Sequence, residues 1–313
     1  MTVSTNPANR SGREPAAPPY PPSAPAGPWP FPERVARERL VRFHDWLLGT
    51  ELPGGAPFLP EPERTAFLDY YKTFPKHGNK AAVAKYLRAL WRLDTGWVAR
   101  WIAAQPKPPR ILDAGCGFGT FAMIYAAVGA EVVGVDLRPD RLDAAQKRLE
   151  FYGNSTRTSL PITYERADVT KPRGEWFDMV WVYNALSHIE PVEPFLAQVR
   201  AQLRPGGLLV IGDINGGHPV HARHLATVRS EVLQEYVAPD GTRHAYAMER
   251  VFTPGALHEL MKSNGFWVQR HELFYGGLGA LPDPLFALLA PMQHYVGWNG
   301  RFALRQLMVA TPR

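Results

Sequence analysis

Ten residues constrain this chain more than any others: Ile111 to Thr120, ILDAGCGFGT. An apolar run ends in Asp113, and Gly115, Gly117 and Gly119 follow at alternate positions. Phe121, Ile124, Tyr125 and Val128 then share a helical face, and Gly129 supplies a stop. A strand, a glycine turn and a helix N-terminus let backbone N–H groups approach a ligand closely. A dinucleotide site would place Gly or Ala where Thr120 stands, and here the third glycine comes one residue early. Asp113 inside the motif is a second departure from that pattern. The remaining alternative is a glycine turn that holds nothing.

The whole chain sets limits on the answer. Its 313 residues suffice for one large α/β domain with additions. Its single cysteine, Cys116, excludes an internal disulfide and a cysteine-based zinc site. Within the loop Cys116 reads as a small filler rather than a nucleophile, since no His or Lys adjoins it in sequence. The net charge of +6 is spread out, with no Lys/Arg run longer than two, so nucleic acid is not expected as a partner. No basic-then-apolar leader and no apolar run of about 18 residues are visible, so a cytoplasmic protein without a membrane span is expected.

Residues 1–31, rich in Pro, Ala, Ser and Gly, read as a disordered arm. Residues 32–107 read as helices. Val35, Leu40, Phe43 and Leu47 share one face, and Val83, Tyr86, Leu87, Leu90 and Trp91 recur at helical spacing, with a break at Gly96. The aromatics near Tyr70, Tyr71 and Phe74 suit packing against a sheet edge. They suit equally a lid in which Tyr70, Tyr71 or Lys72 borders a cation.

From Pro108 to Arg313 strands and helices alternate. Strands are expected at Arg110 to Ala114, at AEVVGVD ending in Asp136, at ITYERADV ending near Asp168, at FDMVWVYNAL and at GLLVIGDIN. The fourth is continuously apolar, as a strand buried on both faces should be. The order argues a doubly wound, Rossmann-like sheet with its ligand at the strand carboxyl ends. A helix capped by Thr253 and two β-like runs follow. Those two runs, joined without a long helical crossover, suggest an antiparallel close and seven strands in all. Two insertions, 216–252 and 277–300, read as a substrate cap.

The pattern D-x-G-x-G-x-G, Asp136 ending the second strand, ADVT at Asp168, FDMVWVYNALSHI and LRPGGLLVIGD together resemble the class I S-adenosylmethionine-dependent methyltransferases. ERVFTPGALHELMKSNGF resembles the subgroup that includes quinone-biosynthesis enzymes. The resemblance implies S-adenosyl-L-methionine as cofactor and a small-molecule acceptor of its methyl group on O, N or C. It implies that Asp113 and the three glycines border the methionyl part, that Asp136 with Leu137 takes the ribose, and that Asp168 and Val169 flank the adenine. Tyr183, Asn184 and Tyr71 would border the cofactor as well.

His188 matches a histidine common at this spot in the quinone-type subgroup and is the candidate general base, though it could equally cap the next helix. Asp213 is a candidate for orienting substrate. His218, His221 and His224 form H-x-x-H-x-x-H, but steps of three drift around a helix, so no metal is expected. Leu281, Leu285, Phe286 and Leu289 hint at a hydrophobic acceptor, or at ordinary core, or at a homodimer contact. The other classes open to this chain are a methyltransferase-like binding module without catalysis and an RNA methyltransferase.

Overall fold

The structure, a computed structural model, describes residues 29–228, 233–237, 241–247 and 250–313. The expected Pro-rich arm falls outside them except for its end. There Trp29 and Phe31, assigned to the arm by composition, pack edge to face at 4.7 Å, and Phe31 N–H bonds the Ala103 carbonyl at 3.0 Å. Two aromatic rings can bury enough apolar surface to hold a backbone that proline and alanine alone would leave loose.

Four helices precede the sheet: α1 (Glu33–Trp46), α2 (Glu63–Tyr70), α3 (Lys80–Arg92) and α4 (Asp94–Ala104). α1 runs on through a single π turn, Leu47–Glu51. The break expected at Gly96 lies at Leu93 instead. Gly96 sits in the first turn of α4, where a Cβ would collide with the Trp91 carbonyl. The missing side chain thus permits a close helix-to-helix corner rather than ending a helix.

The sheet begins with β1 (Arg110–Ala114), α5 (Thr120–Val128), β2 (Glu131–Asp136), α6 (Pro139–Thr156) and β3 (Ile162–Arg166). It continues with β4 (Phe177–Tyr183), α7 (Val192–Gln202) and β5 (Leu203–Ile214). β3 stops short of Asp168 and β4 ends at Tyr183, so Asp168 and Asn184 stand on loops just past the strands. Beyond β5 come α8 (Pro219–Val228) and a separate antiparallel pair, β6 (Leu233–Val237) and β7 (Arg243–Ala247). The chain then forms α9 (Pro254–Ser263), β8 (Phe266–Phe274), α10 (Asp283–Leu289) and β9 (Arg305–Pro312). Thr253 caps α9 as expected, its hydroxyl accepting from Ala256 N–H at 3.2 Å.

The main sheet has seven strands in the order β3-β2-β1-β4-β5-β9-β8. β1 to β5 pair in parallel, and β9 runs antiparallel to both β5 and β8. The continuous apolar run of β4 is divided between two cores. Met179 and Trp181 face α1, α4 and α5, while Val180 and Val182 face α7 and α9. Each fully buried side chain of this size stabilises the fold by roughly 1.5–3 kcal/mol, so both helix layers are held firmly to the sheet. The carboxyl ends of β1 to β5 therefore form a rigid platform. α10 is different: it has no buried residue, and Leu285 and Leu288 of the segment read as a cap are exposed. No described helix is long and apolar enough to cross a membrane.

Candidate active site

The glycine loop takes its shape from three left-handed residues, Gly115 (φ 76°), Gly117 (φ 53°) and Gly119 (φ 72°). A Cβ on Gly115 would lie 2.7 Å from the Ala185 Cβ, and one on Gly119 would collide with the Tyr164 phenol. Gly117 meets nothing within 4 Å, so its side of the loop is open. The N–H groups of Gly115 and Cys116 both bond the Val135 carbonyl, at 2.8 and 3.0 Å, which fastens the loop to the end of β2. Gly117 N–H donates to Asp136 Oδ2 at 2.9 Å, and Arg138 N–H to Asp136 Oδ1 at 2.9 Å. A carboxylate oxygen carries two lone pairs, so each can still accept a ribose hydroxyl.

Asp113 ends β1 beneath this loop and is buried. Its Oδ2 has no hydrogen-bond partner among the described residues. Burial pushes its pKa up to about 7, with the charge of Asp136 acting the same way and the Ala122 N–H opposing them. A buried carboxyl in that condition fits an ammonium group, which would satisfy the free oxygen and restore the charge. Cys116 has its thiol pushed well up, first by burial and then by Asp113, which suits a filler and not a nucleophile.

Past β3, Asp168 Oδ1 accepts from Thr170 N–H at 2.9 Å and from the Thr170 hydroxyl at 2.7 Å. Its Oδ2 lies 3.6 Å from His244 Nδ1 on β7. Leu137 and Val169 are half-buried beside their acidic neighbours. The β6–β7 pair thus reaches back to the loop past β3, and it reaches the loop past β4 too. The Ala247 carbonyl is 3.0 Å from His188 Nδ1, and Arg250 N–H bonds the Ser187 carbonyl at 3.0 Å. A carbonyl only accepts, so Nδ1 carries the proton. The neutral ring then presents Nε2 as its basic atom.

Past β4, Tyr183 stacks on Trp181 at 5.3 Å, and Asn184 adopts φ 50°. Asparagine tolerates this left-handed turn better than most residues. Burial pushes the Tyr183 phenol well up, and the Asp94 carboxylate facing it contributes further. The Arg305 guanidinium lies 4.4 Å over the Tyr183 ring and donates to Asn184 Oδ1 at 3.2 Å. Asp213, near the end of β5, accepts from Ile214 N–H at 2.8 Å, while its buried Oδ2 lacks a partner among the described residues. Burial raises its pKa; the backbone bond to Ile214 and the positive charge of Arg305 act against that.

Tyr71 does not stand where it was expected. Its ring is buried against Phe67 and Phe74, and its phenol bonds the Thr120 hydroxyl. Its neighbour Tyr70 is half exposed and within electrostatic reach of Arg305, Asp113 and Asp94. Tyr71 belongs instead to a sealed brace around Arg148, which sequence reading missed. Arg148 Nε and Nη2 bond Glu51 at 2.8 and 2.7 Å, and Nη1 bonds the Phe118 carbonyl at 2.6 Å and the Thr120 hydroxyl at 2.8 Å. One guanidinium therefore ties the helical layer, the glycine loop and α6 together.

His218 and His221 have ring centroids 5.0 Å apart, and the His224 side chain lies outside the described residues. Among the described residues, no group of three or more His, Cys, Asp or Glu side chains is arranged to hold a metal ion.

Residues 112–209 match the family description of a methyltransferase domain. The matched segment runs from β1 to β5, the part of the sheet that carries the glycine loop, Asp136, Asp168 and His188. The ubiquinone biosynthesis O-methyltransferase of Azorhizobium caulinodans is 31% identical over 179 residues, covering 57% of this chain and 64% of that one. The enzyme of the same name from Cereibacter sphaeroides is 30% identical over 158 residues, covering 50% of this chain and 59% of that one. The chain thus spans less than two thirds of the length of these curated relatives. Among solved structures, the magnesium protoporphyrin IX methyltransferase of Synechocystis with bound SAH superposes with a TM-score of 0.48 at 15% identity, over 80% of this chain and 95% of that one. A methyltransferase from Mesorhizobium loti gives 0.44 at 22% identity, over 70% and 98%.

Proposed function

We propose that this protein transfers the methyl group of S-adenosyl-L-methionine to an O, N or C atom of a small molecule. The arrangement that carries the reading is the pair Asp113 and Asp136 around an open, left-handed Gly117: an unsatisfied buried carboxyl on one side and a ribose-ready carboxylate on the other. The cofactor supplies a methyl group on a sulfonium, already activated for displacement. In this reading Asp113 holds the ammonium end, Asp136 the ribose, and Asp168 with Val169 the adenine. Tyr183 and Asn184 shape the wall beside the reacting methyl.

What the chain then has to do is position. Holding the acceptor atom in line and about 3 Å from the methyl can supply roughly 7–11 kcal/mol of the barrier. For a hydroxyl acceptor, His188 Nε2 would take the hydroxyl proton, and the bound cofactor would supply the methyl group, the C–S bond pair leaving on sulfur. The fixed tautomer leaves that nitrogen as the ring's acceptor.

Calorimetric titration with S-adenosylmethionine and its demethylated product tests the cofactor half. The native chain should bind both, and Asp136→Ala should weaken them by about 10- to 100-fold, the loss of charge-assisted bonds to two hydroxyls. No binding by clean, folded protein overturns the reading. For the base, His188→Ala should keep cofactor affinity and lower turnover of a hydroxyl acceptor by roughly 10²–10⁴-fold, which a coupled assay for the demethylated product would measure.

A further inference from the structure

β9 lies between β5 and β8, and its first residue pairs with Ile214 on one side and Phe274 on the other. That register sets Arg305 at the carboxyl ends of β4 and β5, against the residues that close the platform. Its planar head is laid on the Tyr183 ring at 4.4 Å and anchored by one donated bond, 3.2 Å, to Asn184 Oδ1. Among the described residues it makes no ion pair, unlike the similarly placed Arg148. Asp94 and Asp213 influence it from farther away, and both carboxylates have other ties. Asp94 Oδ1 accepts from the Thr95 N–H and hydroxyl, and Asp213 Oδ1 from Ile214 N–H. Arg305 is largely buried, with one side-chain bond donated to Asn184, so donors of its fork are left over for a group brought to it.

A guanidinium offers five donors in a rigid fork, a geometry that matches a carboxylate with two parallel bonds. Stacking on Tyr183 and the anchor to Asn184 fix the plane of the fork in advance, which reduces the ordering cost of binding. The half-exposed Tyr70 phenol is a further polar group within electrostatic reach. We propose that Arg305 is the carboxylate-binding residue of the active site, receiving a planar carboxylate at the carboxyl ends of β4 and β5, beside the start of β9. This rests on the methyltransferase reading. Two molecules could bring such a group there: the amino-acid tail of the cofactor, or an acid-bearing acceptor.

The experiment separates the two sources by calorimetry on the native chain and on Arg305→Gln, which keeps size and polarity but removes charge and fork. Three probes are used: S-adenosylhomocysteine, methylthioadenosine (the same nucleoside thioether without the amino-acid tail), and benzoate against benzyl alcohol on protein saturated with S-adenosylhomocysteine. If Arg305 holds the cofactor tail, the variant loses roughly 10- to 100-fold for S-adenosylhomocysteine and nothing for methylthioadenosine. If it holds the acceptor, both nucleosides bind as before, while the native preference for benzoate over benzyl alcohol disappears in the variant. Cofactor affinity and benzoate discrimination both unchanged in Arg305→Gln, or no discrimination in either protein with cofactor affinity unchanged, overturn the assignment. Native protein that binds neither nucleoside overturns the methyltransferase reading beneath it. Arg305→Lys serves as a control for folding and charge: it should recover part of the lost affinity but not the two-bond fit.

Discussion

Two buried polar regions lie close together in this protein and behave in opposite ways. Around Arg148 the donors at Nε, Nη1 and Nη2 all have acceptors: Glu51 takes a two-pronged bond, and the Phe118 carbonyl and Thr120 hydroxyl take the third nitrogen. Around the strand ends, Asp113 Oδ2 and Asp213 Oδ2 lack partners among the described residues, Asn184 sits in a left-handed conformation, and the Arg305 guanidinium donates one hydrogen bond among them. The first region is closed upon itself and serves to hold the loop. The second carries unmet hydrogen-bonding capacity of the kind a ligand would satisfy. Satisfaction, rather than burial or charge, separates scaffold from site here.

The sharpest way to break this distinction is to open the closed region. Glu51→Ala should leave the Arg148 charge buried and uncompensated, at a cost of about 3–5 kcal/mol in chemical denaturation. Replacing both partners by apolar residues of similar volume, Glu51→Leu with Arg148→Met, should recover most of that loss. If the single variant costs under 1 kcal/mol, the brace is not a structural device.

Asp113 offers the converse test. Its carboxyl has a pKa near 7 in the folded chain, above its ordinary value of 3.8, because burial disfavours the charge. Between those values the folded state binds more protons than the unfolded state, so stability falls as pH rises from about 4 to about 7 and is level beyond. The contribution is roughly 4 kcal/mol at most. Asp113→Asn should remove this slope, seen as a gain in the variant's denaturation midpoint relative to the native chain that grows as pH rises from about 4 to about 7. Saturating cofactor product, with its ammonium beside Asp113, should flatten the native slope as well.

A smaller effect is expected at Gly117. A Cβ there meets nothing, so Gly117→Ala should cost only the left-handed backbone strain, about 1–2 kcal/mol of stability. Its cofactor affinity should fall further than its stability, because the open side is where the ligand approaches. Equal affinity with lowered stability would remove the loop from the cofactor site.

Much of the platform could be read from the residues. The glycine spacing, the acidic strand ends and the continuous apolar run of β4 each follow from a local rule, and the alternation of strands and helices implied the doubly wound sheet with its antiparallel close. Tyr71 was misplaced because aromatic side chains at helical spacing do not reveal which of two neighbours turns inward. Arg148 and Glu51 are 97 residues apart, and no local pattern joins them. Arg305 was invisible for a similar reason. A single basic residue before the apolar LMVA segment looks like an ordinary strand start until the antiparallel register brings it beside Tyr183. The reach of β6–β7 to His188 and Asp168 was equally unreadable, since its bonds run through backbone carbonyls and a histidine 76 residues from its carboxylate partner.

The position of β9 also has a consequence in time. A ribosome delivers β8 well before β9, yet β8 touches the sheet only through β9. During synthesis the five parallel strands can assemble while β8 waits with an unpaired edge, and the last strand closes the gap like a key stave. Arg305 arrives with it. A nascent chain can therefore hold a finished glycine loop while the arginine proposed to bind a carboxylate is still inside the exit tunnel.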